Sequence, residues 1–264
     1  MVRARFVLRS AITTPPDVRW ATVALHPKFP WPCSVQLAIF RGVELTFHPA
    51  KDNLYPRISF SLKENALTDD EAFNLLRSLT SALVWLNREQ AQIIGIYLGR
   101  TIAKVDKLLG ARFIGSLPPI DLTNLPEPDD QRAKLALALY REALELNVPA
   151  YQFLGFFKIL NVIHASGSAQ IIWINKTIEK LSGAGASRII DIRTNLGPSD
   201  TIGNYLFVSG RCSIAHAYGD PIVNPDRSVD IRRIDDDPCV IRQLAEIAMN
   251  EEIRIKKRFD SVDS

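Results

Sequence analysis

Cysteine is scarce in this chain of 264 residues: Cys33, Cys212 and Cys239 are odd in number and far apart. None stands at CxxC spacing, which excludes a disulfide framework and a cysteine zinc site and points to a reducing, cytoplasmic compartment. Long apolar runs are missing too. The longest, such as Ile93 to Leu98, fall far short of the roughly 20 residues that a membrane helix needs, so a soluble protein with no membrane partner is expected. The N-terminus breaks its apolar residues with Arg3, Arg5 and Arg9 and then meets Pro15 and Pro16, unlike the apolar core of a secretory signal. Charge of one sign is also short: a net +3 permits contact with nucleic acid without the dense cationic surface that would argue for it. Gly183 and Gly185 do not make a phosphate loop, because no Lys-Ser/Thr ending follows them. His26 and His48 each precede a proline with no Cys, His or carboxylate at ligand spacing, so neither a metal nor a cofactor is expected.

What is present is ample core: 47% of the residues are hydrophobic, enough for one large domain or two moderate ones. The pattern predicts an α+β protein in two parts, a strand-rich domain over residues 1–115 and an all-α domain over 128–264. Arg5 to Leu8, Trp20 to Leu25, Val35 to Phe47 and Arg57 to Leu62 are rich in Val, Ile, Phe and Thr and partly alternate, with Arg41-Gly42 as a hairpin turn. The prolines of His26 to Pro32 predict a loop or an edge, since each removes a ladder donor. Thr68 to Glu71 reads as an N-cap with an acidic first turn, followed by Phe73, Leu76, Leu79 and Leu83 at helical spacing. Residues 93–109 fit strand or helix equally. The four prolines between Gly115 and Asp130 mark a linker.

Downstream, Leu135, Leu139, Ala143 and Leu146 predict the inward face of a helix whose other side holds Lys134, Arg141 and Glu145, ending before Pro149. Phe153, Phe156, Phe157, Leu160 and Ile163 predict a second helix, and Ile171 to Leu181 a third that stops at Gly183. Asp235 to Asp237 and Pro238 read as acidic capping of a last helix with Ile241, Leu244 and Ala248 inward, which explains the acidic run better than magnesium does. His164 continues the apolar stripe of its helix and reads as a hydrogen-bonded core histidine. The basic end, Arg254 to Arg258, reads as a solvated helix terminus.

The stretch from Ser209 to Tyr218 carries the chemistry. It sets Arg211 and His216 five positions apart in a helical run: a guanidinium holds a phosphoryl group in two places, and an imidazole moves a proton near neutral pH. On a straight helix of about 100° per residue, Leu206, Phe207, Gly210, Ile214 and Ala217 form the packing face. Tyr205, Ser209, Cys212 and His216 share the other side, too uncharged for a solvent face and too polar for a core. Arg211 stands about 140° around from His216, so the two converge most simply if a two-fold partner brings the same helix against its mate. Cys212 reads as a small, apolar-like residue rather than a reactive thiol.

The pattern of Arg211, four residues and His216 on a late helix resembles the signature of HEPN domains, over roughly Pro128 to Arg258. The wording of residues 139–142, 151–161, 208–217 and 223–226 is similar to the bacterial MauJ family of methylamine utilisation proteins. Cys212 stands where many HEPN members carry asparagine after the arginine. The HEPN resemblance implies a homodimer that cleaves or binds RNA or nucleotide without a metal: His216 moves the proton of the ribose 2′-OH or of the leaving oxygen, Arg211 steadies the phosphorane-like charge, and cleavage leaves a 2′,3′-cyclic phosphate. The alternative makes Arg211 and His216 structural or interface groups of a non-catalytic accessory protein of methylamine utilisation.

Overall fold

Strands near the N-terminus and helices after them are what the computed structural model contains, and it describes residues 19–51, 53–107, 122, 125–216, 223–224 and 226–255. The expected strand Arg5 to Leu8 lies outside these residues, as do most of the expected linker, Ala217 and Tyr218. The strands β1 (Trp20–Pro27), β2 (Gln36–Phe40), β3 (Val43–His48), β4 (Arg57–Ser61) and β5 (Ala91–Gly99) form one antiparallel sheet in the order β2-β3-β4-β1-β5. The β2-β3 turn is the expected Arg41-Gly42, both at positive φ (49° and 75°), the backbone a two-residue hairpin requires. Of residues 93–109, undecided from sequence, those up to Gly99 belong to strand β5. Pro27, expected in a loop or at an edge, instead ends the interior strand β1. It is tolerated because β1 pairs with β4 only as far as Ala24, with one more bond from the Leu25 N–H to the Pro56 carbonyl, while His26 and Pro27 pair with β5 alone.

Helix α1 (Asp69–Asn87) starts at a complete capping box: Thr68 accepts from the Glu71 N–H, and the Glu71 carboxylate accepts from the Thr68 N–H at 2.9 Å. Its buried residues, among them Leu76, Leu79 and Leu83, join Val23, Phe47, Ile58 and Phe60 of one sheet face in a core that runs on into the helical region. There follow α2 (Gln131–Glu145), α3 (Pro149–Ile163), α4 (Gly167–Thr177), α5 (Gly183–Asn195), a π-helix (Tyr205–Cys212), α6 (Ser228–Asp235) and α7 (Asp237–Glu251). The fold is α+β.

Three helical expectations are corrected. In α2 the buried positions are Ala133, Ala136, Leu137, Tyr140 and Ala143, while Leu135 is 50% exposed. Arg141, expected outside, is buried: its Nε donates to Ser81 Oγ at 3.1 Å and its Nη1 to Glu145 at 2.9 Å. Gly183 does not stop the third helix. A 3₁₀ turn (Ile178–Lys180) closes α4, and Gly183, at φ 52°, opens α5, which the hydrophobic pattern did not reveal. His164 is the half-buried C-cap of α3, with its ring 5.2 Å from that of Trp173 and, among the described residues, no hydrogen-bond partner at Nε2, not a satisfied core histidine.

The two regions are joined at Arg88, the left-handed C-cap of α1. Its guanidinium lies 3.1 Å from the Trp85 ring centre and 5.7 Å from that of Tyr140 on α2. Arg242 of α7 donates to the Arg88 carbonyl and, at 3.0 Å, to Glu246, which also accepts from the Tyr140 hydroxyl. Burial, then the Glu246 charge, pushes the Tyr140 phenol far above its ordinary value, so it stays a proton donor in this bridge.

Candidate functional site

The segment that holds Arg211 and His216 is built by a wide helical turn. Thr201 caps it, its hydroxyl accepting from the Asn204 N–H, and Asn175 of α4 accepts from the Gly203 N–H at 2.8 Å. From Tyr205 to Cys212 the winding is π rather than α: the Ser213 N–H reaches the Val208 carbonyl five residues back. The Ser213 hydroxyl also donates to the carbonyls of Ser209 and, at 3.1 Å, of Gly210. Ser213 is buried, and no periodicity in the sequence marks its role.

Packing explains where the turn sits. Gly210 lies against α3 so closely that a Cβ there would stand 2.6 Å from the Phe153 ring. Leu206 and Gly210 are buried as expected, whereas Phe207 and Ile214 are only half-buried. On the other side Tyr205, Ser209 and Cys212 are all half-buried, neither core nor solvent face. The Tyr205 hydroxyl donates to Asp237 Oδ2 at 3.0 Å, and Arg188 Nε of α5 donates to Asp237 Oδ1 at 2.8 Å. This carboxylate, 1% exposed, ties the π-helix, α5 and α7 together. The acidic run was expected to cap α7, but the cap residue Asp236 makes no side-chain cap bond and Asp237 is spent on this buried pair. The Arg188 guanidinium is held above its usual value by the Asp237 hydrogen bond and charge, which outweigh the lowering by burial.

Arg211 is half-buried. Its Cζ lies 5.6 Å from the Phe207 ring centre, its Nη1 is 3.6 Å from Cys212 Sγ, and among the described residues it makes no ion pair. His216 is exposed and stands past the helix end, as the extended C-cap (φ −120°, ψ 134°) of a last α turn, Ser213–Ala215, with its N–H on the Cys212 carbonyl at 3.0 Å. The expected angle of about 140° between the two side chains therefore does not apply: it assumed a straight α-helix, whereas the chain is π-wound to Cys212 and has left the helix at His216. The arrangement offers a guanidinium steadied on an aromatic ring and, one turn on, an exposed histidine. Such a pair can bind an anion and move a proton. Among the described residues no cluster of three or more His, Cys, Asp or Glu could hold a metal ion, and no helix is long and apolar enough to cross a membrane.

A sheet followed by helices, with a π-wound segment presenting a cation and an imidazole, defines the class of α+β protein to which this chain belongs. Residues 136–250, fewer than half of the chain but including the whole π-helical segment, match the family model described as "Methylamine utilization protein MauJ". No curated protein and no solved structure matches the chain.

Proposed function

We propose that this protein is an accessory protein of methylamine utilisation and that it acts by binding, with the end of its π-helix as the contact point. The match over residues 136–250 carries this reading, because the matched stretch contains Arg211, His216 and the Arg188-Asp237-Tyr205 anchor that fixes their helix. In a methylamine-using host that carries this gene, its deletion is expected to slow growth on methylamine and leave growth on ammonium unchanged. Equal growth on both would overturn the reading.

A second reading, an HEPN-type ribonuclease, is supported by one observation: among the described residues Arg211 has no carboxylate partner, so its charge is open to a phosphoryl group. In this reading His216 takes the 2′-OH proton, the freed oxygen bonds to the adjacent phosphorus to close a 2′,3′-cyclic phosphate, and the bond to the 5′ oxygen breaks as that oxygen takes the proton back from the His216 imidazolium and leaves as a hydroxyl, while Arg211 neutralises the phosphoryl charge. Two copies meeting across the π-helix, where Val208 is 38% exposed, would place both residues of each copy at one cleft. The division into units at 1–115 and 128–264 assigns this chemistry to the second. The test is incubation with mixed single-stranded RNA in EDTA beside Arg211→Ala and His216→Ala. Cleavage by the native protein that both variants lose supports the nuclease; no cleavage, or equal cleavage by all three, removes it. A monomer by light scattering would remove the shared cleft.

A further inference from the structure

One edge of the sheet lacks the features that keep exposed strands apart. Among the described residues nothing pairs with β2 on the side away from β3, and the stretch from Ser34 to Phe40 holds no charge, proline or bulge. Its outward side chains are apolar instead: Val35, Leu37 and Ile39 are 59%, 64% and 67% exposed. The opposite edge differs. There β5 meets β1 across a register break at Ala24/Leu25, and its Ile93, Ile96 and Leu98 pack against the core.

The hairpin decides which backbone groups are left over. Phe40 and Val43 flank its two-residue turn and bond to each other, so Gln36, Ala38 and Phe40 face β3 while the N–H and C=O groups of Leu37 and Ile39 turn outward. A second β2, running antiparallel about a two-fold axis at Ala38, sets Leu37 of each copy against Ile39 of the other. Every outward N–H and C=O of those residues is then used. Ala38 faces its own counterpart in the closely spaced, non-bonded pair, where a small side chain fits, and Val35 comes opposite Arg41 of the second copy, whose aliphatic stem can lie over it. No like charges meet. Because one axis matches both the bonding groups and the apolar side chains of this edge with themselves, a second copy fits it better than an unrelated strand does. Strip and edge together cover on the order of 400 Å² per copy, about half of what a standard interface takes, so the association is weak.

We propose that two copies of this chain join edge to edge through β2, making one continuous antiparallel sheet of their two five-stranded ones. This surface is separate from the Arg211 and His216 segment. The test is disulfide trapping in the full-length protein at high micromolar concentration. In an Ala38→Cys variant that also carries Cys33→Ser, the two introduced thiols sit on backbones about 4.5 Å apart, within disulfide reach. Mild oxidation is expected to turn most of the chain into a covalent dimer, and adding Ile39→Lys to lower the yield at least about fivefold. Gln92→Cys on the other edge, again with Cys33→Ser, is expected to give at least about fivefold less than Ala38→Cys. Should Ala38→Cys not fold, sedimentation of the native protein supplies a second reading. Its mean mass is expected to rise with concentration, and Ile39→Lys, a change at an exposed position, to lower the mass at the highest concentration about twofold. No trapped dimer, a yield that Ile39→Lys leaves unchanged or that Gln92→Cys equals, or a mass that Ile39→Lys does not lower, would overturn the proposal. A strand of the same chain or of another protein lying along β2 would give the first of these results.

Discussion

Two arginines, one in each region, are treated in opposite ways. In the helical region Arg188 lies 2.8 Å from a carboxylate that is 1% exposed and that a tyrosine hydroxyl also binds. In the sheet Arg57, at 9% exposed, is placed more deeply than Arg188, whose side chain is 18% exposed, and two of its donors have no partner among the described residues. Dehydrating a guanidinium is costly, and the two places differ in what offsets it. Around Arg188 the repayment is internal, and three helical elements are tied by it. Around Arg57 it is missing among the described residues, so of the two charges only that of Arg188 ties elements together.

The comparison breaks most sharply if Arg188 is made to resemble Arg57. Asp237→Ala removes the carboxylate that Arg188 and Tyr205 share and is expected to cost about 3–5 kcal/mol in urea unfolding. Replacing both charges, Arg188→Met with Asp237→Leu, is expected to recover most of that loss. A double variant as unstable as the single one would show that the pair's charge, not its packing, holds the region. Next in size is Gly210→Ala. Its new methyl meets the Phe153 ring at 2.6 Å, so the π-helix must lift from α3 or the ring must turn, at a cost of about 1–3 kcal/mol by the same measurement. Unchanged stability would mean that the π-helix is not pinned there.

How much of this was legible depends on how local the cause was. The Arg41-Gly42 turn, the Thr68-Glu71 capping box and Pro238 in the first turn of α7 are each written in a few adjacent residues, and each is found where the sequence puts it. The inner face of α2 was misread because Leu135 and Leu139 are larger and more apolar than Ala133 and Ala136, and only the neighbours of α2 decide that the small side chains lie inward beside Tyr140. The segment of Arg211 and His216 could be singled out from two residue types and their spacing, but its winding could not. A turn closed by i→i+5 bonds has no hydrophobic period to reveal it, and the Ser213 hydroxyl that supports it looks like any serine. Asp237 and Arg188 stand 49 residues apart, so their pairing was invisible until the helices were placed.

Acidity probes the same contrast more gently. His48 beside Arg57 and His164 at the end of α3 both have pKa values lowered from 6.5, His48 by burial and then by Arg57, His164 by burial against an opposing pull from Glu252. A histidine whose folded pKa is depressed binds fewer protons than in the unfolded chain. Its contribution is therefore complete above pH 6.5 and is lost as pH falls from there through the folded value. Glu145 works the other way, because burial raises its carboxyl despite Arg141: the folded chain takes up its proton first and gains stability as pH falls. In a Glu145→Gln background, stability is expected to decline as pH falls below 6.5, and His48→Asn should flatten that limb more than His164→Asn. Arg57→Met should flatten it in part, since the Arg57 charge is the second cause of the His48 shift while burial, the first, remains. A slope that His48→Asn leaves untouched, or that only His164→Asn removes, would place the acid-sensitive group in the helices and weaken the case that Arg57 keeps an uncompensated charge on the sheet.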